Sequence, residues 1–85
     1  MNEEQSDVVR ALECSYHNKE GVRKSRLCGC FFCLRLFFSE DITEWCDRRR
    51  TAICPHCGVD TILYETDFYS LDKQFLLKMK KHYFY

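Results

Sequence analysis

Two Cys-x-x-Cys pairs, Cys30-Phe-Phe-Cys33 and Cys54-Pro-His-Cys57, are separated by 20 residues in a chain of 85. That interval fits the C-x2-C-x15–20-C-x2-C pattern of zinc sites. Two thiolates three positions apart on a tight turn can both reach one ion at about 2.3 Å, and a second such turn completes a tetrahedron. Pro55 fixes φ inside the second pair, and Gly58 follows where the chain often needs φ > 0. Four unrelated buried cysteines would not explain two matched pairs with Pro and Gly in place. A chain this short buries a small core and is marginal without a staple. A structural metal supplies that staple, and one Zn2+ held by Cys30, Cys33, Cys54 and Cys57 is the expected cofactor. Iron in a four-cysteine site is the competing ion, and visible absorption separates the two.

The chain holds seven cysteines. An odd number fits poorly with complete disulfide pairing. The N-terminal sequence MNEEQSDVVRALEC is acidic and polar, without the basic and apolar regions of a secretory signal. No apolar stretch approaches the roughly 18–20 residues of a membrane span. The expectation is a cytoplasmic chain with reduced thiols, where clustered cysteines usually mean metal. Cys28-Gly29-Cys30 leaves Cys28 as a substitute for Cys30 in the ligand set. Cys14 and Cys46 read as small buried hydrophobes.

Four thiolates close the coordination shell and leave the ion no position for a substrate. With a formal charge of about −2, such a centre is also a poor Lewis acid. No Ser-His-Asp set, phosphate loop or paired-carboxylate signature appears. His56, inside the second pair, is too close to its flanking ligands to join them easily, and His17 and His82 are isolated. No catalytic residue is expected, and the chain does not read as an enzyme.

Residues 3 to 17 read as a helix with Glu3, Glu4 and Asp7 at its N-terminal end and Val8, Val9, Leu12 and Tyr16 as its buried stripe. Residues 18 to 26 read as a basic turn with room for one short helical turn. The first knuckle and an apolar run occupy 27 to 38, and Asp47-Arg48-Arg49-Arg50 is a polar turn. Residues 59 to 64 are β-rich and lead from the second knuckle. Ser70 reads as the cap of a final helix whose face carries Leu71, Phe75, Leu76, Met79 and Tyr83, while Leu77 and Phe84 fall off it. The expected fold is a small α+β metal-stabilised domain, a zinc ribbon with two knuckles on short β-hairpins flanked by an N-terminal and a C-terminal helix. Its parts are 1–26 (helix and basic turn), 27–66 (ribbon core) and 67–85 (C-terminal helix on the core), one domain overall.

The matching residues are Cys28, Cys30 and Cys33; Ile42, Glu44 and Trp45; and Thr51, Ala52, Cys54, Pro55, Cys57, Gly58 and Asp60. They form C-G-C-x-x-C, I-x-E-W and T-A-x-C-P-x-C-G-x-D. In these motifs the chain resembles a family of small, mostly uncharacterised bacterial cytoplasmic proteins with a zinc-ribbon-like core. The resemblance implies the fold and the metal and brings no activity. Cys46 departs from it, standing where an aliphatic residue is expected.

Three functions compete. The first is a non-enzymatic, zinc-stabilised scaffold for protein-protein interaction, including self-association. It is motivated by more aromatics than so short a chain buries, among them Trp45, Phe84 and Tyr85, with Leu77 beside them. The second is a nucleic-acid-binding ribbon reaching phosphates with Arg48, Arg49 and Arg50. Zero net charge counts against it, although the basic segments are local. The third is a thiol-based redox switch through Cys28 or Cys46.

Overall fold

The computed structural model describes residues 3–84. Tyr85 and the side chains of Glu3 and Glu4, named above, lie outside the described residues. The elements run α1 (Glu3–Glu13), α2 (Lys19–Lys24), β1 (Leu27–Cys30), β2 (Leu36–Phe38), a 3-10 turn (Ser39–Asp41), β3 (Trp45–Cys46), β4 (Thr51–Ala52), β5 (Ile62–Tyr64) and α3 (Lys73–Phe84). This is a small α+β arrangement of helices and antiparallel strands.

Strand β1 is the centre of an antiparallel sheet of order β2-β1-β5, while β3 and β4 form a separate hairpin. Side chains alternate across a strand, so the sheet has two covered faces. Cys28, Cys30 and Ile62 join Val22, Phe37, Ile42, Ala52 and Cys54 in one core cluster on the hairpin side. Leu63 belongs to a second cluster with Val8, Ala11, Cys14, Phe31, Leu76 and Met79, under α1 and α3. Adjacent residues Ile62 and Leu63 are thus both fully buried, in different cores. Covering both faces of so short a strand removes about 1.5–3 kcal/mol of apolar exposure per large side chain.

Helix α1 ends at Glu13, four residues short of the expected end. The Ser15 hydroxyl donates to the Leu12 carbonyl at 2.6 Å, and the Cys14 and Ser15 amides reach back only three residues. His17 takes φ 43°, which turns the chain out of the helix. Such local side-chain bonds compete with helical continuation. Of the stripe expected above, Val8 is buried and Leu12 packs against the core, and Ala11, Cys14 and Ser15 are buried beside them. Val9 points away from this buried face and Tyr16 lies past the helix end; both are exposed.

Helix α3 is capped by Asp72, not Ser70. The Asp72 carboxylate accepts from the Phe75 amide at 2.8 Å, and its carbonyl accepts from the Leu76 amide at 3.0 Å. Leu76 and Met79 are fully buried, with Leu71, Phe75 and Tyr83 beside them, as the helical spacing predicts. Tyr83 ties the two long helices together by donating to the Val8 carbonyl at 3.0 Å.

The basic turn 18 to 26 is more than a linker. It holds α2, whose Val22 is buried. The Tyr64 ring lies directly over Gly21, where a Cβ would run into it. Asn18 is buried between the hairpin and the sheet. Its amide donates to the Ile62 carbonyl at 2.9 Å and accepts from the Ala52 amide at 3.0 Å. The flanking backbone adds His17 N–H to Thr51 Oγ1 and Lys19 N–H to the Arg50 carbonyl, both at 3.0 Å. One polar segment thus stitches β4 to β5.

Candidate metal centre

Each Cys-x-x-Cys pair closes the same turn. Cys30 N–H donates to the Arg35 carbonyl and Leu34 N–H to the Cys30 carbonyl; Cys54 N–H donates to the Val59 carbonyl and Gly58 N–H to the Cys54 carbonyl. The fifth residue is left-handed in both, Leu34 at φ 67° and Gly58 at φ 78°. In both, an amide two residues on points at the first sulfur, Phe32 N–H to Cys30 Sγ and His56 N–H to Cys54 Sγ, each at 3.4 Å. The first turn joins β1 to β2, and the second leads from β4 into β5.

This pairing of turns brings Cys30, Cys33, Cys54 and Cys57 together, with all four Sγ atoms within 4.8 Å of one another. Cys30 and Cys57 sulfurs are 3.6 Å apart, and Cys33 and Cys54 sulfurs 3.8 Å apart. The edge of a tetrahedron with Zn–S bonds of about 2.3 Å is about 3.8 Å. The donor set therefore fits one tetrahedral ion. Cys28 is not in the group. It lies two positions earlier on β1, fully buried in the hairpin-side core.

The electrostatics of the site also favour a cation. Burial pushes the Cys30 thiol well above its ordinary value, against hydrogen bonds from Thr61, Cys33 and Phe32. Burial also pushes the Cys54 thiol up, but bonds from the His56 and Cys57 amides and the neighbouring thiols outweigh it, so the net direction is down. Burial raises Cys57 as well. Cys30 and Cys57, raised by burial, are poorly placed to ionise alone; a divalent ion reverses that balance. The amide donors and the Thr61 hydroxyl, 3.2 Å from Cys30 Sγ, then offset the excess thiolate charge.

His56 stays outside the group. Its Nδ1 lies 3.1 Å from Arg35 Nη1, and its ring edge packs on Phe37. The remaining thiols are separate from one another. Cys14 is in the helix-side core, Cys46 is half-buried on β3, and Cys28 is pushed up to about 12 by burial and then by Glu65.

The other residues expected to bind a partner are dispersed. Arg48, Arg49 and Arg50 occupy the β3–β4 turn and are exposed. Trp45 is half-buried against the hairpin-side core, with the Lys19 ammonium 5.9 Å from its ring centre. Leu77 is exposed on α3. Phe84 is partly exposed but engages the first knuckle, its ring 5.1 Å from Phe32 and 5.9 Å from Phe31. The sequence reading missed Thr61, the sulfur-directed amides and Asn18. The backbone donors carry no sequence signal, and an Asn in a polar run reads as a turn residue.

Gly58 allows a clean test of the turn geometry, because a Cβ there meets nothing within 4 Å. Gly58→Ala should cost only the backbone strain of a left-handed residue, about 1–2 kcal/mol, with metal content unchanged. Leu34 bears the same strain and offsets it by packing on the helix-side core. Chemical denaturation with metal analysis checks both parts.

Family models, curated proteins and solved structures were each compared with the chain, and none matches. No helix among the described residues is long and apolar enough to cross a membrane.

Proposed function

We propose that the chain is a zinc ribbon of the kind its motifs resemble, a cytoplasmic, non-enzymatic protein in which one structural Zn2+ holds a rigid scaffold for protein-protein interaction. The four-cysteine cluster is the observation that carries this reading. Its sulfur spacings suit a tetrahedral ion, and four thiolates leave no open position for a substrate. Exposed apolar side chains outside the cores, including Phe38, Phe68 and Leu77, supply contact surface. Protein purified from cells should contain one zinc per chain by elemental analysis, without the visible absorption of iron. Analytical ultracentrifugation and affinity capture address the partner. A stoichiometric complex weakened by Leu77→Asp supports the scaffold, and a strict monomer without a partner sinks it.

A second reading, nucleic-acid binding by the Arg48–Arg50 turn, is favoured by one observation. Asp47, Arg48 and Arg49 are consecutive left-handed residues, at φ 52°, 61° and 68°. Such residues cost about 1–2 kcal/mol each, and strain of this kind concentrates at functional positions. The turn is closed by Arg50 N–H donating to the Cys46 carbonyl at 3.0 Å, and the Thr51 hydroxyl donates to the Asp47 carboxylate at 2.9 Å. This leaves the Arg48 and Arg49 side chains exposed.

A further inference from the structure

We propose that the groove between α2 and the β3–β4 hairpin binds one nucleotide unit of a single-stranded nucleic acid, the base against Trp45 and the phosphate between Lys19, Arg23 and Arg49. The inference rests on the nucleic-acid reading of the hairpin turn and gives it a specific site.

Lys19, Arg23, Thr43, Glu44, Trp45 and Arg49 line this groove of about 580 Å3. That lies within the roughly 300–1,000 Å3 typical of small-ligand sites. Three cations face a single carboxylate. Lys19 and Arg23 are one turn apart on α2, and positions i and i+4 share a helix face. Arg49 comes from the left-handed turn on the other side. The Lys19 N–H bond to the Arg50 carbonyl, at 3.0 Å, fixes the two walls to each other. The cations therefore converge because of the fold and not because they are neighbours in sequence.

Nothing within the described structure neutralises them. Neither Arg23 nor Arg49 makes an ion pair or side-chain hydrogen bond among the described residues. The Lys19 ammonium faces only the Trp45 ring, at 5.9 Å. Trp45 is anchored against the core and only partly exposed, so most of the indole is fixed while a remaining part is available to a flat ligand. An anchored aromatic beside unpaired cations is the arrangement that holds a stacked base and its phosphate. A purely acidic peptide would use the cations and leave the indole without a role. Glu44 discourages a second phosphate in the groove, and its carboxylate can accept from a base N–H.

The test uses the full, zinc-loaded chain and a labelled oligodeoxythymidylate of about ten nucleotides, within the usual site size of a small binding module. Trp45 is the chain's one tryptophan, so its emission reports on the groove directly. Saturable quenching of that emission at low salt is expected. Arg23→Ala and Arg49→Ala, both exposed positions, should each weaken binding about fivefold. Each should also lower the slope of log affinity against log salt by about 0.7, one phosphate contact on a single strand. Binding without quenching, with Arg48→Ala effective and Arg23→Ala silent, overturns the groove and leaves the hairpin turn as the binding element. No binding at low salt overturns both. Equal displacement of the oligonucleotide by polyglutamate, with Trp45 emission unchanged, assigns the cations to an acidic peptide and overturns the nucleotide.

Discussion

Cys54→Ser should abolish the folded state, and a strong chelator applied to the native protein should do the same. Cys54 is buried, its sulfur lies 3.8 Å from that of Cys33, and it accepts the His56 amide. It is therefore both a ligand and the pivot of the second turn. Apparent binding energies of structural zinc in small domains are about 10–16 kcal/mol, while whole domains of ordinary size are stable by about 5–15 kcal/mol. Loss of one thiolate from a closed shell thus costs a large share of everything that holds this chain together. Circular dichroism and metal analysis check it; a well-folded, metal-free variant would refute it. Cys28→Ser is the matching control. Cys28 is fully buried but outside the cluster, so the variant should lose stability from a buried hydroxyl and still bind one zinc. Zinc should also be released as pH falls, because protons compete with the ion for all four sulfurs.

Cysteine spacing made the metal site legible because ligand geometry is local: each pair lies on one tight turn, and the chain needs only to bring two turns together. The C-terminal helix was legible for a similar reason, since Leu76 and Met79 follow the helical period into the core. Three things were not legible. The end of α1 is decided by Ser15 and His17, whose local bonds and left-handed turn override a pattern that continues to Tyr16. The choice of Cys30 over Cys28 follows from register. Cys30 pairs with Ile62 at the end of β1 beside the turn, whereas Cys28 pairs with Tyr64 deeper in the sheet. The convergence of Lys19, Arg23 and Arg49 needs α2 to be tied to the hairpin, and that tie is made mainly by backbone atoms and one asparagine.

That asparagine carries the other large expected effect. Asn18→Ala should destabilise the zinc-loaded protein by about 3 kcal/mol, since a buried donor or acceptor left unsatisfied costs about 1–3 kcal/mol. Two such groups would be stranded, the Ala52 N–H and the Ile62 carbonyl, both on fully buried residues. No local substitute is at hand, because the segment's other bonds, from His17 and Lys19, go to Thr51 and Arg50. Asn18 also stands at the N-cap position of α2 without capping it. Its amide is committed to the strands, so the loss should fall on the joint between β4 and β5 rather than on α2 alone. Asn18→Asp separates shape from hydrogen bonding. It retains an acceptor for Ala52 but sets a second oxygen against the Ile62 carbonyl, and at neutral pH it should be at least as damaging as alanine. Urea denaturation in excess zinc checks both variants, with a midpoint shift of roughly 2 M expected for a domain of this size. A loss below about 1 kcal/mol for Asn18→Ala would mean that water or a rearranged turn serves the two strands as well as the amide does. Because β4 leads straight into Cys54, weakening this joint should also loosen the second pair of ligands, and zinc release to a chelator should be faster in Asn18→Ala than in the parent protein.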